Sequence, residues 1–268
     1  MKTVLVALVL MWSIVPARAL ELTFTEDPEL GESVPYKVMI MDGVIEDGDA
    51  LKVKKMLKSQ TGKRTVFLIT SPGGVKEEIP DLARVIVEHA KQSFKKLKKP
   101  DLFAINQSCD SSCTILAAEI TRLRDAKSLE FFVQADSKFL FHPPLKVFED
   151  GRWLDLSKPS LKAAAFKDMK DSYLKAGVSK EWFGKQESKI KRPKGLVVTA
   201  RELCQSRSQV IPDASCSNLS SDRFTELINE VFDQNQIFSQ NKELKKSLIQ
   251  DTKKTRGVSR VFQKVFGI

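Results

Sequence analysis

Apolar residues fall along this chain in short blocks whose spacing alternates between strand and helix periods. Residues 36–45, YKVMIMDGVI, read as a strand that turns at Asp42-Gly43. Leu51, Val53, Met56 and Leu57 then mark one face of a helix over Asp49–Lys58. TVFLIT (65–70) is a continuous apolar run suited to a buried parallel strand, and Ser71-Pro72-Gly73-Gly74 breaks it. Pro80 opens a helix where its missing N–H costs little. Leu82, Val85, Ile86, His89, Ala90, Phe94 and Leu97 form the stripe of that helix, and four lysines crowd its last turn. A strand at Leu102–Ile105 leads through CDSSC (109–113) into an apolar helix, and a third strand, Lys138–Phe141, ends at His142-Pro143-Pro144. Strands alternating with helices in this way predict an α/β fold with right-handed crossovers. Further helices are expected at Leu161–Lys175, stopped by Gly177, and from Thr199, where Glu202 completes a capping box.

The two ends differ from this pattern. Residues 1–19, MKTVLVALVLMWSIVPARA, have a basic start, an apolar middle and an Ala-x-Ala ending. That order predicts a secretory signal peptide cleaved after Ala19, and so a periplasmic or secreted protein. From residue 217 Lys and Gln become frequent, and residues 217–268 read as a helical C-terminal extension. Its last stripe, Val258, Val261, Phe262, Val265 and Phe266, is flanked by Arg256, Arg260 and Lys264. This basic amphipathic segment suits its own core, a neighbouring subunit or peripheral contact with an anionic membrane face.

Composition narrows the classes. With 42% hydrophobic and 29% charged residues the chain is globular, and sixteen Phe point to a Phe-filled core. The formal charge is +10, or +8 once Lys2 and Arg18 leave with the signal peptide. No aromatic and basic residues interleave as a nucleic-acid platform would, so nucleic acid is not an expected partner. No phosphate-binding glycine loop is present, and no cofactor is expected. Export makes disulfides the natural reading of the four cysteines, with Cys109–Cys113 and Cys204–Cys216 the two local pairs. A Cys109–Cys113 bridge implies a bend, because a regular helix holds such Cβ atoms too far apart. The spacings fit no zinc framework, so no metal is expected.

Three segments carry candidate chemistry. The Gly73-Gly74 turn can present free N–H groups to an anion, although such a turn is commonly only a turn. Ser111 and Ser112 open a helix after a strand, where a hydroxyl serves either as a cap or as an exposed nucleophile. His142 ends a strand and is either half-buried structure or a base, whereas His89 sits on an apolar helix stripe as a core residue.

In their order, FLITSPGG (67–74), SSCTILAA (111–118) and FLFHPP (139–144) resemble the Clp protease proteolytic subunit, within the crotonase-like superfamily. MDGVIEDGDA (41–50) and VVTARELC (197–204) extend the resemblance to residues 36–212, and the Cys-x-Ser-x-Cys pattern is similar to exported Clp-like proteins of bacteria. The resemblance implies a domain of repeated ββα units over residues 20–216. It also implies a serine peptidase acting on peptides or unfolded protein, and assembly into homo-oligomers. Ser111 would be the preferred nucleophile, with Ser112 aligning nearly as well, and His142 the base. Gly73-Gly74 would form the oxyanion turn, Gly74 giving one N–H and the residue after the nucleophile another. Two departures stand out. His142 follows Ser111 by 31 residues, which implies an insertion around 123–134. The family's acidic third residue falls near Lys194-Gly195, where this chain has no carboxylate. Asp171 or Asp155 would have to supply the acid, or Ser and His act as a dyad. A non-catalytic binding or assembly protein of the same fold is the alternative. A crotonase-like acyl-CoA enzyme fits the fold but not the export.

Overall fold

The computed structural model describes residues 19–25, 36–58, 63–143, 148–149, 152–153, 158–192 and 194–217, with Leu219 and Glu226. The signal segment, Asp155 and the C-terminal stripe lie outside the described residues, apart from Ala19 at the end of the signal segment.

The chain folds as mixed α/β. Its elements are β1 (Glu21–Thr25), β2 (Tyr36–Asp42), α1 (Asp49–Lys58), β3 (Arg64–Ser71), α2 (Ile79–Leu97), β4 (Asp101–Cys109), α3 (Ser112–Leu123), β5 (Leu129–Val133), β6 (Lys138–Phe141), β7 (Phe148–Glu149) and β8 (Arg152–Trp153). They continue with α4 (Pro159–Lys175), α5 (Lys180–Ile190), β9 (Leu196–Thr199), α6 (Ala200–Gln205) and α7 (Asp213–Cys216). Seven of the strands form one sheet in the order β1-β2-β3-β4-β6-β9, with β5 also paired to β4. Strands β2, β3, β4, β5 and β6 pair in parallel, and β1 and β9 are antiparallel edges.

Burial explains the parallel centre. Val66, Phe67, Leu68 and Ile69 are all buried, as are Leu102 to Ile105, so both faces of these strands are covered. Helix α3 is buried from Ser112 through Ile120, packed between α2 and α4. Such a helix needs apolar or small residues nearly all round, which is what CTILAA supplies, and the buried Glu119 that follows is paired with Arg122. Phe67, Phe103, Phe139, Phe141 and Phe183 are among the largest fully buried side chains.

Three differences from the sequence reading matter. Residues 123–134, expected as an insertion, contain β5, whose Leu129–Val133 pairs residue for residue with Asp101–Ile105. Leu129, Phe131 and Val133 are buried, so this stretch belongs to the core sheet. Helix α5 was not anticipated; only Trp182, Phe183 and Ile190 are buried along it, too sparse a stripe to stand out. His89, expected in the apolar core, is partly exposed, its Nε2 3.1 Å from Thr65 Oγ1 and 3.6 Å from Asp101 Oδ2. Burial lowers its pKa to about 4. The capping box at Thr199 forms as expected, and both local disulfides are made, with Cα separations of 5.1 Å for Cys109–Cys113 and 5.5 Å for Cys204–Cys216. No helix among the described residues is long and apolar enough to cross a membrane.

Candidate functional site

Three neighbouring parallel strands end side by side. Strand β3 delivers Gly73-Gly74, β4 delivers Ser111 and β6 delivers His142, all at the carboxyl edge of the sheet. Loops at that edge are where open α/β sheets hold ligands.

The turn between β4 and α3 is sharp and strained. Ser111 has φ 53° and ψ −121°, in the half of backbone space that favours glycine. A non-glycine residue held there costs roughly 1–3 kcal/mol and persists only where its surroundings fix it. Several contacts fix it here. The Cys109–Cys113 disulfide closes the turn from either side of Ser111, and both cysteines are fully buried. Thr114 Oγ1 donates to the Cys109 carbonyl at 2.7 Å. The Ser111 amide donates to the Leu140 carbonyl at 2.8 Å, and the Tyr173 hydroxyl donates to the Ser111 carbonyl at 3.2 Å.

Gly73 packs directly on this turn. A Cβ at Gly73 would lie 2.6 Å from Ser111 Cβ and 2.8 Å from the Asp110 carbonyl oxygen, so no other residue fits. The next residue is tied to the second serine, since Ser112 Oγ donates to the Gly74 carbonyl at 2.7 Å. Ser112 is 4% exposed, and its hydroxyl is committed to that bond. Ser111 is half-buried, and its hydroxyl makes no hydrogen bond among the described residues. The backbone amides of Gly74 and Ser112 are likewise unbonded among the described residues.

His142 is half-buried, and its Nδ1 lies 2.7 Å from the Pro143 carbonyl oxygen. A carbonyl can only accept, so Nδ1 carries the proton and Nε2 is left as a lone-pair acceptor. Burial lowers the imidazole pKa below its ordinary value, with the Pro143 carbonyl pulling the other way. Gly195 backs the residue: a Cβ there would meet the Phe141 carbonyl oxygen at 2.3 Å and His142 Cβ at 2.7 Å. No hydrogen bond joins the Ser111 hydroxyl to His142.

Asp171 lies elsewhere. It is 55% exposed on α4 and pairs with Lys167 at 2.8 Å, so it does not orient the imidazole. Among the described residues a carboxylate that does reach the site is Asp110, which the CDSSC motif contained without assigning it a role. Asp110 is 3% exposed, and its Oδ1 accepts the Leu140 amide hydrogen at 2.9 Å. Burial pushes its carboxyl up to about 7, against the Leu140 amide and the Lys138 charge, which pull it down. Tyr173, Pro143 and Gly195 were also missed. Pro143 left a trace in the His142-Pro143-Pro144 motif, though with no role, and Gly195 one as a lone glycine just before a strand.

Among the described residues no group of His, Cys, Asp and Glu is placed to hold a metal ion. No protein-family model matches this chain, and no curated protein matches it closely enough to count as a relative.

Proposed function

We propose that this chain is a serine-type peptidase of Clp-like, crotonase-superfamily fold that cleaves peptides or unfolded protein by acyl transfer. One observation carries the reading. Ser111 is held in a strained strand-to-helix turn with a free hydroxyl, beside the unbonded amides of Gly74 and Ser112. A serine on a strained strand-to-helix turn, flanked by amide donors, is the arrangement that acyl-transfer nucleophiles need.

In the proposed reaction, Ser111 Oγ attacks the scissile carbonyl carbon while its proton passes to His142 Nε2. The Gly74 and Ser112 amides stabilise the resulting oxyanion. His142 then gives the proton to the leaving amine, and water, deprotonated by the same imidazole, releases the acyl group from Ser111. The Pro143 carbonyl holds the required tautomer, so Ser111 and His142 act as a dyad. The disulfides support an oxidising compartment, in keeping with a periplasmic or secreted protein, and self-association is part of the same proposal.

A second reading, a non-catalytic binding or assembly protein, draws on the absence, among the described residues, of a carboxylate on His142 and of a Ser111–His142 hydrogen bond. Digestion of an unfolded protein such as casein by the disulfide-intact protein separates the two. The peptidase yields fragments that disappear with Ser111→Ala; equal fragmentation by both forms, or none, favours the binding protein.

A further inference from the structure

Two stretches carry most of the positive surplus of this chain, residues 52–99 and residues 158–194, and the second lies beside the candidate site. The 37 residues from 158 to 194, which span α4, α5 and the turn that follows, hold eleven Lys and Arg against four Asp and Glu. That surplus of seven compares with nine over residues 52–99, where thirteen Lys and Arg face four Asp and Glu. Four of the lysines pair with three carboxylates: Lys167 with Asp171, Lys185 with Glu181, and both Lys170 and Lys191 with Glu187. The other seven cations, Arg192 and Lys194 among them, are exposed and form no ion pair among the described residues.

Three contacts tie this basic segment to the site. Lys76, two residues past Gly74, pairs with Asp168 on α4 at 2.7 Å. Tyr173 on the same helix bonds the Ser111 carbonyl. Gly195, whose amide donates to the Arg192 carbonyl at 2.9 Å, packs against His142. The segment therefore meets the chain two residues past the glycine turn and touches the serine turn, and its cations Arg192 and Lys194 stand just before Gly195, which lies against His142. A surface patch with a surplus of one sign raises the local concentration of ligands of opposite charge and steers them in.

Resting on the peptidase reading, we infer that the substrates are acidic polypeptides, unfolded segments rich in Asp and Glu that bind along α4 and α5 with Arg192 and Lys194 beside the reacting bond. The alternative of a purely solvated basic face predicts no selectivity.

The test uses the disulfide-intact protein with two fluorescein-labelled unfolded peptides of equal length, one Glu-rich and one Lys-rich, read by fluorescence anisotropy. The Glu-rich peptide is expected to bind and to be released by added salt. Arg192→Glu/Lys194→Glu is expected to weaken binding by about tenfold. Lys95→Glu/Lys96→Glu, at the far end of the sheet, is expected to leave it unchanged. Equal binding of both peptides, or unchanged binding by Arg192→Glu/Lys194→Glu, overturns the inference. So does binding to phosphatidylglycerol vesicles with none to the Glu-rich peptide. Labelling of Ser111 by a fluorophosphonate in the same samples reports the peptidase reading separately, so either idea can fail alone.

Discussion

Asp110 and Leu140 are joined side chain to main chain: the buried carboxylate accepts the Leu140 amide hydrogen at 2.9 Å. The Leu140 carbonyl in turn accepts the amide hydrogen of Ser111. Both polar groups of one residue are thus taken by the serine turn, and that residue lies two positions before His142. The spacing between the serine turn and the histidine strand is set by this double clamp.

Asp110→Asn keeps an acceptor oxygen for Leu140, whereas Asp110→Ala leaves a buried amide unpaired. Asp110→Ala is expected to cost about 1–3 kcal/mol in urea denaturation and Asp110→Asn much less. The pH dependence has a fixed sign. The carboxyl titrates near 3.8 when unfolded and about 7 when folded, so its contribution is full below pH 3.8 and is lost as pH rises through 7. Denaturation at pH 5 and pH 8 should show Asp110→Asn removing part of that loss.

The two serines should separate cleanly. Ser111→Gly relieves a positive φ and is expected to stabilise the protein by about 1 kcal/mol while abolishing fluorophosphonate labelling. Ser112→Ala loses its bond to the Gly74 carbonyl and is expected to cost about 0.5–1.5 kcal/mol while labelling persists. The opposite assignment of stability and labelling would make Ser112 the reactive residue.

Gly195→Ala places a methyl against the Phe141 carbonyl and His142 in a positive-φ position. It is expected to destabilise the fold by about 2–4 kcal/mol. Labelling of the still-folded fraction at low temperature should also slow, because the imidazole is displaced. An unchanged melting temperature would contradict the close packing at Gly195.

Much of this fold is legible in the chain because its signals are local. The apolar run at 65–70, Pro80 at a helix start and the Thr199 capping box each determine their own element. The serine turn is legible for the same reason, since a strand, a polar pentapeptide and an apolar helix follow one another. What is hidden depends on distant residues. Strand β5 gains its place by pairing with β4 after α3, and only alternate residues of it are buried. Asp110 reads as a polar turn residue until Leu140, thirty positions away, is seen to need its oxygen. Among the described residues His142 Nδ1 meets the Pro143 carbonyl rather than Asp171, and no side-chain pattern announces that.

The two disulfides should differ in consequence. By loop-closure entropy, opening Cys204–Cys216 costs about 3 kcal/mol and opening Cys109–Cys113 about 2 kcal/mol. Only the second encloses Ser111. Cys109→Ser/Cys113→Ser is therefore expected to slow labelling strongly with the smaller loss of stability, and Cys204→Ser/Cys216→Ser the reverse. Equal effects on labelling would argue against a positioning role for the bridge at the serine turn.

The central claim is that His142 activates Ser111, and the rate of fluorophosphonate labelling at Ser111 as a function of pH tests it most directly. Burial lowers the His142 pKa, so the neutral base persists to lower pH than an ordinary histidine. The account predicts one modified residue, Ser111, with a rate that rises to a plateau through a midpoint below pH 6.5, and a loss of about 10²–10⁴-fold in His142→Ala. Labelling at Ser111 that is absent, or that His142→Ala leaves unchanged, would contradict it.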